Sequence, residues 1–261
     1  MNFYRNHEVE RAYLDRIKQY LLGEIELPAS KLDSRPPGIH QSNLNDNSCI
    51  LKGYYSNTQP PQPITDESAM RFLYGRAIER VIAFSGELDP IKKDDIWVTP
   101  DDLHPEFGLT EIKSTTSSSL MDVNAEQPQW ICQLKNECYA YGTDKINLVI
   151  FYLVGTMPSY TFWGRKDLKP DTVYKGVDLH AWTYEFTEQE LKMNWLTILD
   201  RRDILLRAIE DNVPIQRDIV LAELPYNTKK GNKVYWQCKK CDFSEFCYLY
   251  DNLVLGVKNE T

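Results

Sequence analysis

Glu111 and Lys113 stand two residues apart in a short β-type run, Glu111-Ile112-Lys113, behind a turn-rich stretch that begins Trp97-Val-Thr-Pro100-Asp101-Asp102. Successive side chains of a strand point to opposite faces, so Glu111 and Lys113 share one face while Ile112 turns away toward a core. If the run ending at Asp101-Asp102 pairs with the Glu111 run, an acid from its end reaches that same face. Two carboxylates and an ammonium in one small space suit Mg²⁺, which takes one or two carboxylate oxygens and leaves positions for water and phosphate. A lysine beside such an ion orients or deprotonates the attacking water and offsets charge growing on the phosphate. Asp101 and Asp102 compete for the first acid. The plainer alternative is a solvated Glu–Lys pair beside a turn aspartate.

A second group of chemical residues closes the chain. Cys238-Lys-Lys-Cys241-Asp-Phe-Ser-Glu-Phe-Cys247 places three thiols within ten residues. Zn²⁺ sites and iron–sulfur clusters both commonly take four thiolates, so a fourth is needed. Cys49 is the favoured fourth, because it lies between two polar segments and its ligation ties the N-terminal region to the tail; Cys132 and Cys138 compete, in a helical pattern where cysteine packs as a small hydrophobe.

The elements that position these groups follow from hydrophobic periodicity. Val9, Ala12, Tyr13, Ile17, Tyr20 and Leu21 predict a helix from His7 to Leu22, ended by Gly23. Pro28 to Ser48 reads as a loop, and Ser56 to Asp66 as a second polar segment. A helix is expected from Glu67 to Phe84, with Asp66 as a possible cap. Within it, Gly75 points to close approach of another backbone, and Glu79 lies one turn on along the same face, either in the site or paired with Arg76 or Arg80. After the Ser/Thr run at Ser114 to Ser119, a helix spans Ala125 to Tyr141 and stops at Gly142. Ile146 to Val154 is apolar enough for a strand covered on both faces. Tyr160 to Gly164 and His180 to Phe186 are further strands, expected near a sheet edge. Thr187, with Glu190 at the capping-box position, opens a long helix to Glu210.

The chain has 261 residues, 42% of them hydrophobic, enough for a sizeable core. Its formal charge of −8 argues against coating nucleic acid through diffuse positive charge, but not against meeting a nucleic acid end in a local groove. Lys229, Lys230, Lys233, Lys239 and Lys240 are either a solvated loop or a phosphate-contacting patch. No apolar run approaches the eighteen or so residues that cross a bilayer, and the N-terminus is polar, so a soluble, intracellular (cytoplasmic) protein without a membrane partner is expected. No Walker A sequence is present, so any unwinding must come from a partner.

Pro100-Asp101, then nine residues, then Glu111-x-Lys113 resembles the signature of the PD-(D/E)XK nuclease superfamily. With one remote N-terminal cysteine and the final Cys-x2-Cys-x5-Cys, the chain from about 39 to 250 is similar to RecB-like nucleases with an iron–sulfur cluster, including the CRISPR-associated exonuclease Cas-four and AddB-type nuclease domains. Ile39-His-Gln-Ser-Asn-Leu and Ala208-Ile-Glu-Asp-Asn-Val-Pro214 look like that family's lead-in to its first cysteine and its C-terminal end. The resemblance implies a structural [4Fe-4S] cluster on Cys49, Cys238, Cys241 and Cys247, with Zn²⁺ the alternative that spacing permits. It implies Mg²⁺ or Mn²⁺ held by Glu79, Asp101, Glu111 and the Ile112 carbonyl, since Gly75-x-x-x-Glu79 fits the family's Gly-x-x-x-His/Glu element. Lys113 would position the water. Gln133 matches the glutamine of the family's Gln-x-x-x-Tyr motif, whereas Glu137 stands where tyrosine is expected.

The expected fold is α/β and restriction-endonuclease-like, a central mixed sheet flanked by helices with an iron–sulfur lobe built from both ends of the chain. It divides into an N-terminal helix and first cysteine segment (1–65), a core (66–212) and a cysteine lobe (213–261). The expected activity is metal-dependent DNA exonuclease cleavage on single strands or ends, in recombination, repair or CRISPR adaptation, with a helicase or integrase-type partner. The rival readings are a non-cleaving nuclease-like module that binds DNA or protein, and a zinc-stabilised adaptor.

Overall fold

The apolar run that follows Gly142 becomes the middle strand of the main sheet, paired on both sides. The computed structural model describes residues 1–25, 36–45, 48–60, 62, 66–85, 88–117, 119, 122–155, 176–216, 219–220, 227–229, 232–234, 238 and 241–247. From the N-terminus these form β1 (Asn2–Arg5), α1 (His7–Leu21), β2 (Ile39–His40), α2 (Gln41–Leu44), α3 (Ile50–Thr58) and α4 (Asp66–Ile82). Next come β3 (Ile91–Lys93), β4 (Ile96–Val98), β5 (Asp102–His104), β6 (Gly108–Thr115), α5 (Val123–Glu126) and α6 (Pro128–Tyr141). Then follow β7 (Lys145–Tyr152), β8 (Asp178–Glu185), α7 (Glu188–Glu210), β9 (Asn227–Lys229) and β10 (Asn232–Val234). The fold is mixed α/β.

The main sheet has the order β1-β8-β7-β6-β5, with β6 and β7 parallel and the other neighbours antiparallel. Alternation along β7 sends Ile146, Leu148, Ile150 and Tyr152 toward α6 and Val149 toward α1 and α4. Helices therefore cover both faces. A smaller sheet, β2-β4-β3, joins α3, α7 and the cysteine residues in a third apolar cluster.

The helix ends follow their capping chemistry. Asn6 accepts the Val9 amide at 3.1 Å to start α1. Thr187 Oγ1 accepts the Glu190 amide at 3.2 Å while Glu190 Oε2 accepts the Thr187 amide at 2.9 Å, a reciprocal box at the head of α7. Gly142, at φ 69°, closes α6 in the left-handed conformation a glycine adopts without a Cβ clash.

Several expectations are corrected. The strand that pairs with β6 beside Glu111 is the three-residue β5, not the Trp97 run, which joins the small sheet instead. The helix expected from Ala125 is two, broken at Gln127 because Pro128, which has no N–H to donate, starts a new helix. Part of the expected loop before Ser48 forms β2 and α2. β8 lies inside the sheet, since β1 pairs outside it. A Cβ on Gly75 would meet Ser114 Oγ at 3.9 Å, an ordinary contact, so no backbone approach demands glycine there. Tyr160 to Gly164, Lys230, Lys239 and Lys240 lie outside the described residues. Among the described residues no helix is long and apolar enough to cross a membrane.

Candidate active site

The antiparallel register of β5 and β6 sets Asp102 opposite Thr110, which brings Asp101, one residue earlier, beside Glu111. Asp101 Oδ2 accepts the Ile112 amide at 2.8 Å. Asp102 turns to the opposite face and is fully engaged there. It accepts the Tyr13 hydroxyl at 2.7 Å, the amides of Phe84 and Ser85 at 2.9 and 2.8 Å, and the Ser85 hydroxyl at 2.6 Å. Those bonds fasten α1 and the end of α4 to the sheet edge. Of the two aspartates, Asp101 lines the pocket and Asp102 is buried away from it.

Glu111 is wholly buried on the α6 side of β6. Its Oε1 accepts from Lys113 Nζ and from Gln133 Nε2, the latter at 2.6 Å, while its Oε2 has no hydrogen-bond partner. Lys113 Nζ also donates to Gln133 Oε1 at 3.1 Å. Ile112 turns the other way, into the cluster beneath α1 and α4. Behind Gln133, one helical turn along α6, lies Glu137, equally buried.

A pocket of about 310 Å³ opens over this group, lined by Asp101, Glu111, Lys113 and Gln133 on one side and by Glu79 and Arg76 of α4 on another. Glu79 is half-buried there. His40 and Trp97, from the small sheet, form further wall.

Charge is out of balance in this pocket. Burial, reinforced by the charge of Glu137, pushes Glu111 up to about 8 against the pull of Lys113. Burial also pushes Glu137 up to about 7, and Asp101 rises well above the usual carboxylate range through burial and the Glu111 charge. Burial works against the Lys113 ammonium, yet Glu111 and Asp101 more than offset it and raise its pKa. Acidic side chains thus crowd around Lys113, and the burial and mutual repulsion that raise their pKa values would be relieved by a divalent cation at the same oxygens.

The four predicted cysteines also converge. Cys238 is buried in the third apolar cluster, with Cys49, Cys241 and Cys247 packed against it. Burial pushes the Cys49 thiol up to about 11, with Cys241 and Cys247 contributing, and Cys238 up to about 12, with the other three contributing. Burial, with the charges of Glu137 and Asp144, raises the Cys138 thiol, and these thiols make no contribution there. The four thiols, from the head of α3 and the C-terminal turns, share one apolar cluster, which also contains Cys132. Among the described residues, no group of three or more His, Cys, Asp or Glu side chains is arranged to hold a metal ion.

Two participants escaped the sequence reading. Glu137 looked only like a mismatch to a motif, although its spacing of four from Gln133 puts both on one helix face. Gln41, which donates to Glu137 at 2.8 Å, lay in a stretch of loop-like composition and carried no signal. No family model and no curated protein matches the chain. The crystal structure of SSO0001 is similar over 92% of this chain and 96% of its own length, at 16% identity and a TM-score of 0.41.

Proposed function

We propose that the chain is a metal-dependent deoxyribonuclease, an exonuclease of the PD-(D/E)XK, RecB-like kind that hydrolyses phosphodiester bonds at single strands or ends of DNA. One observation carries the reading: Asp101, Glu111, Lys113 and Gln133, drawn from a strand edge, a strand and a helix, meet in one pocket in which Glu111 is wholly buried. A solvated surface pair needs none of this burial.

Asp101, Glu111 and Glu79, with the Ile112 carbonyl as a further oxygen, are the groups to hold Mg²⁺ or Mn²⁺. When bound, the ion supplies Lewis-acid stabilisation of the phosphate and the leaving oxygen. Lys113, kept charged by its neighbours, donates to the attacking water or a phosphate oxygen instead of taking a proton. Gln133 holds Lys113 and Glu111 at a fixed separation through its two amide ends. Arg76, on the pocket wall, is placed to meet a second phosphate. The four-cysteine lobe is read as a structural [4Fe-4S] site, with zinc the competing occupant. The helicase or integrase-type partner remains part of the same reading.

The test is cleavage of 5′- and 3′-labelled single-stranded and duplex oligonucleotides with Mg²⁺, Mn²⁺ or EDTA. Cleavage that needs the cation and disappears in Lys113→Ala and Glu111→Ala supports the proposal. Absent cleavage with tight DNA binding points to a non-cutting module, and colourless protein holding stoichiometric zinc removes the cluster.

A further inference from the structure

Glu137 Oε1 accepts two hydrogen bonds, one from Gln133 Nε2 at 2.9 Å and one from Gln41 Nε2 at 2.8 Å. Its side chain and that of Gln41 are at least nine-tenths buried, and Glu137 Oε2 and the amide oxygen of Gln41 have no hydrogen-bond partner. None of this is needed to fill space, since α6 already packs on the sheet through Ile131, Leu134 and Cys138. A buried carboxylate with an unpartnered oxygen costs stability, so its presence calls for a role other than packing.

A glutamine amide can be seated two ways, with its oxygen and nitrogen exchanged. Only one seating of Gln133 serves the pocket: oxygen toward the Lys113 ammonium, nitrogen toward Glu111. The reversed seating sets an NH₂ group against the ammonium and a carbonyl against the carboxylate. Glu137 Oε1 accepts in either protonation state of the other oxygen, so it selects the working orientation from behind. Gln41 in turn holds Glu137. Gln41 opens α2, which is also tied to α6 by Asn136 Nδ2 donating to Asn45 Oδ1 at 2.9 Å, and the chain then runs by Ser48, whose carbonyl accepts Arg201 Nη2 at 2.9 Å, to Cys49.

We infer that Glu137, backed by Gln41, is a positioning residue that fixes the Gln133 amide and through it the Lys113–Glu111 contact. The activity readout rests on the nuclease reading; the geometric one does not. Glu137→Met, which keeps the volume and removes the acceptor, is expected to lower kcat by about 10- to 100-fold with KM little changed, while Glu137→Gln, which can still offer an oxygen, restores most of it. In Gln133→Met, adding Glu137→Met should cost nothing more, because the two act as a unit. Independently of cleavage, the Gln133 side-chain NH₂ resonances of the intact protein should be protected from exchange in wild type and Glu137→Gln, and unprotected in Glu137→Met. Should Glu137→Met fail to fold, Gln41→Met supplies the milder loss of the same protection. Full activity and protection in these variants, or an equal loss in Glu137→Gln and Glu137→Met, overturns the inference. A wild type that cleaves nothing sinks the nuclease reading alone, and the amide measurement still decides this one.

Discussion

Asp101 and Asp102, neighbours in sequence, face opposite sides of the sheet edge: the first takes the Ile112 amide at the pocket, the second takes the Tyr13 hydroxyl, 2.7 Å away in the core. One peptide unit therefore divides chemistry from architecture.

The division predicts opposite phenotypes. Asp102→Asn turns an acceptor-only group into one whose NH₂ confronts either the Ser85 amide and hydroxyl or the Phe84 amide and Tyr13 hydroxyl, and should cost on the order of 3 kcal/mol, or about 10 °C in Tm. Asp101→Asn removes a carboxylate crowded by Glu111, so its Tm should hold or rise while cleavage falls by at least ~100-fold. Thermal unfolding and oligonucleotide cleavage on the same two preparations check both halves. A stable, inactive Asp102→Asn would reverse the assignment.

The raised acids predict an unusual pH profile for metal-free protein. Glu111 and Glu137, pushed up to about 8 and 7, retain protons in the folded chain that the unfolded chain releases near 4.5. The folded state then binds more protons across that window, so their contribution to stability is complete below about pH 4.5 and falls as pH rises toward 8. Glu190, held near 2 by the N-terminal ammonium, loses its stabilising contribution only at the acid end, below 4.5. Mn²⁺ should reverse the alkaline loss, raising Tm more at pH 8 than at pH 6 and releasing protons on binding. Melting curves with EDTA or Mn²⁺ across this range, and in Glu111→Gln, provide the measurement; an unchanged slope in the variant counts against the buried acids as its source.

How far such features could be read in advance depended on how much chain each one spans. The Thr187–Glu190 box, the stop at Gly142 and the apolar run of β7 are local patterns several residues long, and each appears where its chemistry requires. β1 has four residues, all exposed, and β5 has three, whose buried positions are the polar Asp102 and His104, so neither shows a hydrophobic periodicity, and the partner strand of Glu111 was misplaced as a result. Pro128 did announce the start of α6 and went unused. At the site, the face shared by Glu111 and Lys113 follows from strand alternation alone. The pairing of Gln41 with Glu137 joins residues 96 apart and depends on tertiary packing, which no local pattern encodes.

Lys113 and Glu111 should separate kinetically. Removing the ammonium in Lys113→Met leaves the acids without their counter-charge, so the Mn²⁺ concentration for half-maximal effect should stay the same or drop, while kcat falls by about 100-fold or more. Glu111→Gln removes an oxygen ligand and should raise that concentration instead. Metal titrations of binding, read by Tm shift, and of cleavage supply the two numbers. Matching shifts in both variants would mean that lysine and acid share one role.

The cysteines give the last contrast, between the thiols proposed as ligands and one that packs against the sheet. Cys49→Ser removes one of the four sulfurs and, with it, the tie from the head of α3 to the C-terminal turns, where Cys238 is buried. If the proposed centre is present, protein purified without oxygen should then lose its iron or zinc, with iron its visible absorption too, and should melt well below wild type, as expected when metal binding is coupled to folding. Cys138→Ala, in α6 against the sheet, should cost about 1–2 kcal/mol of packing and keep the full metal content. Metal analysis beside thermal unfolding distinguishes them. If Cys138→Ala strips the metal while Cys49→Ser retains it, the fourth ligand has been misassigned and the two ends of the chain are held together by packing alone.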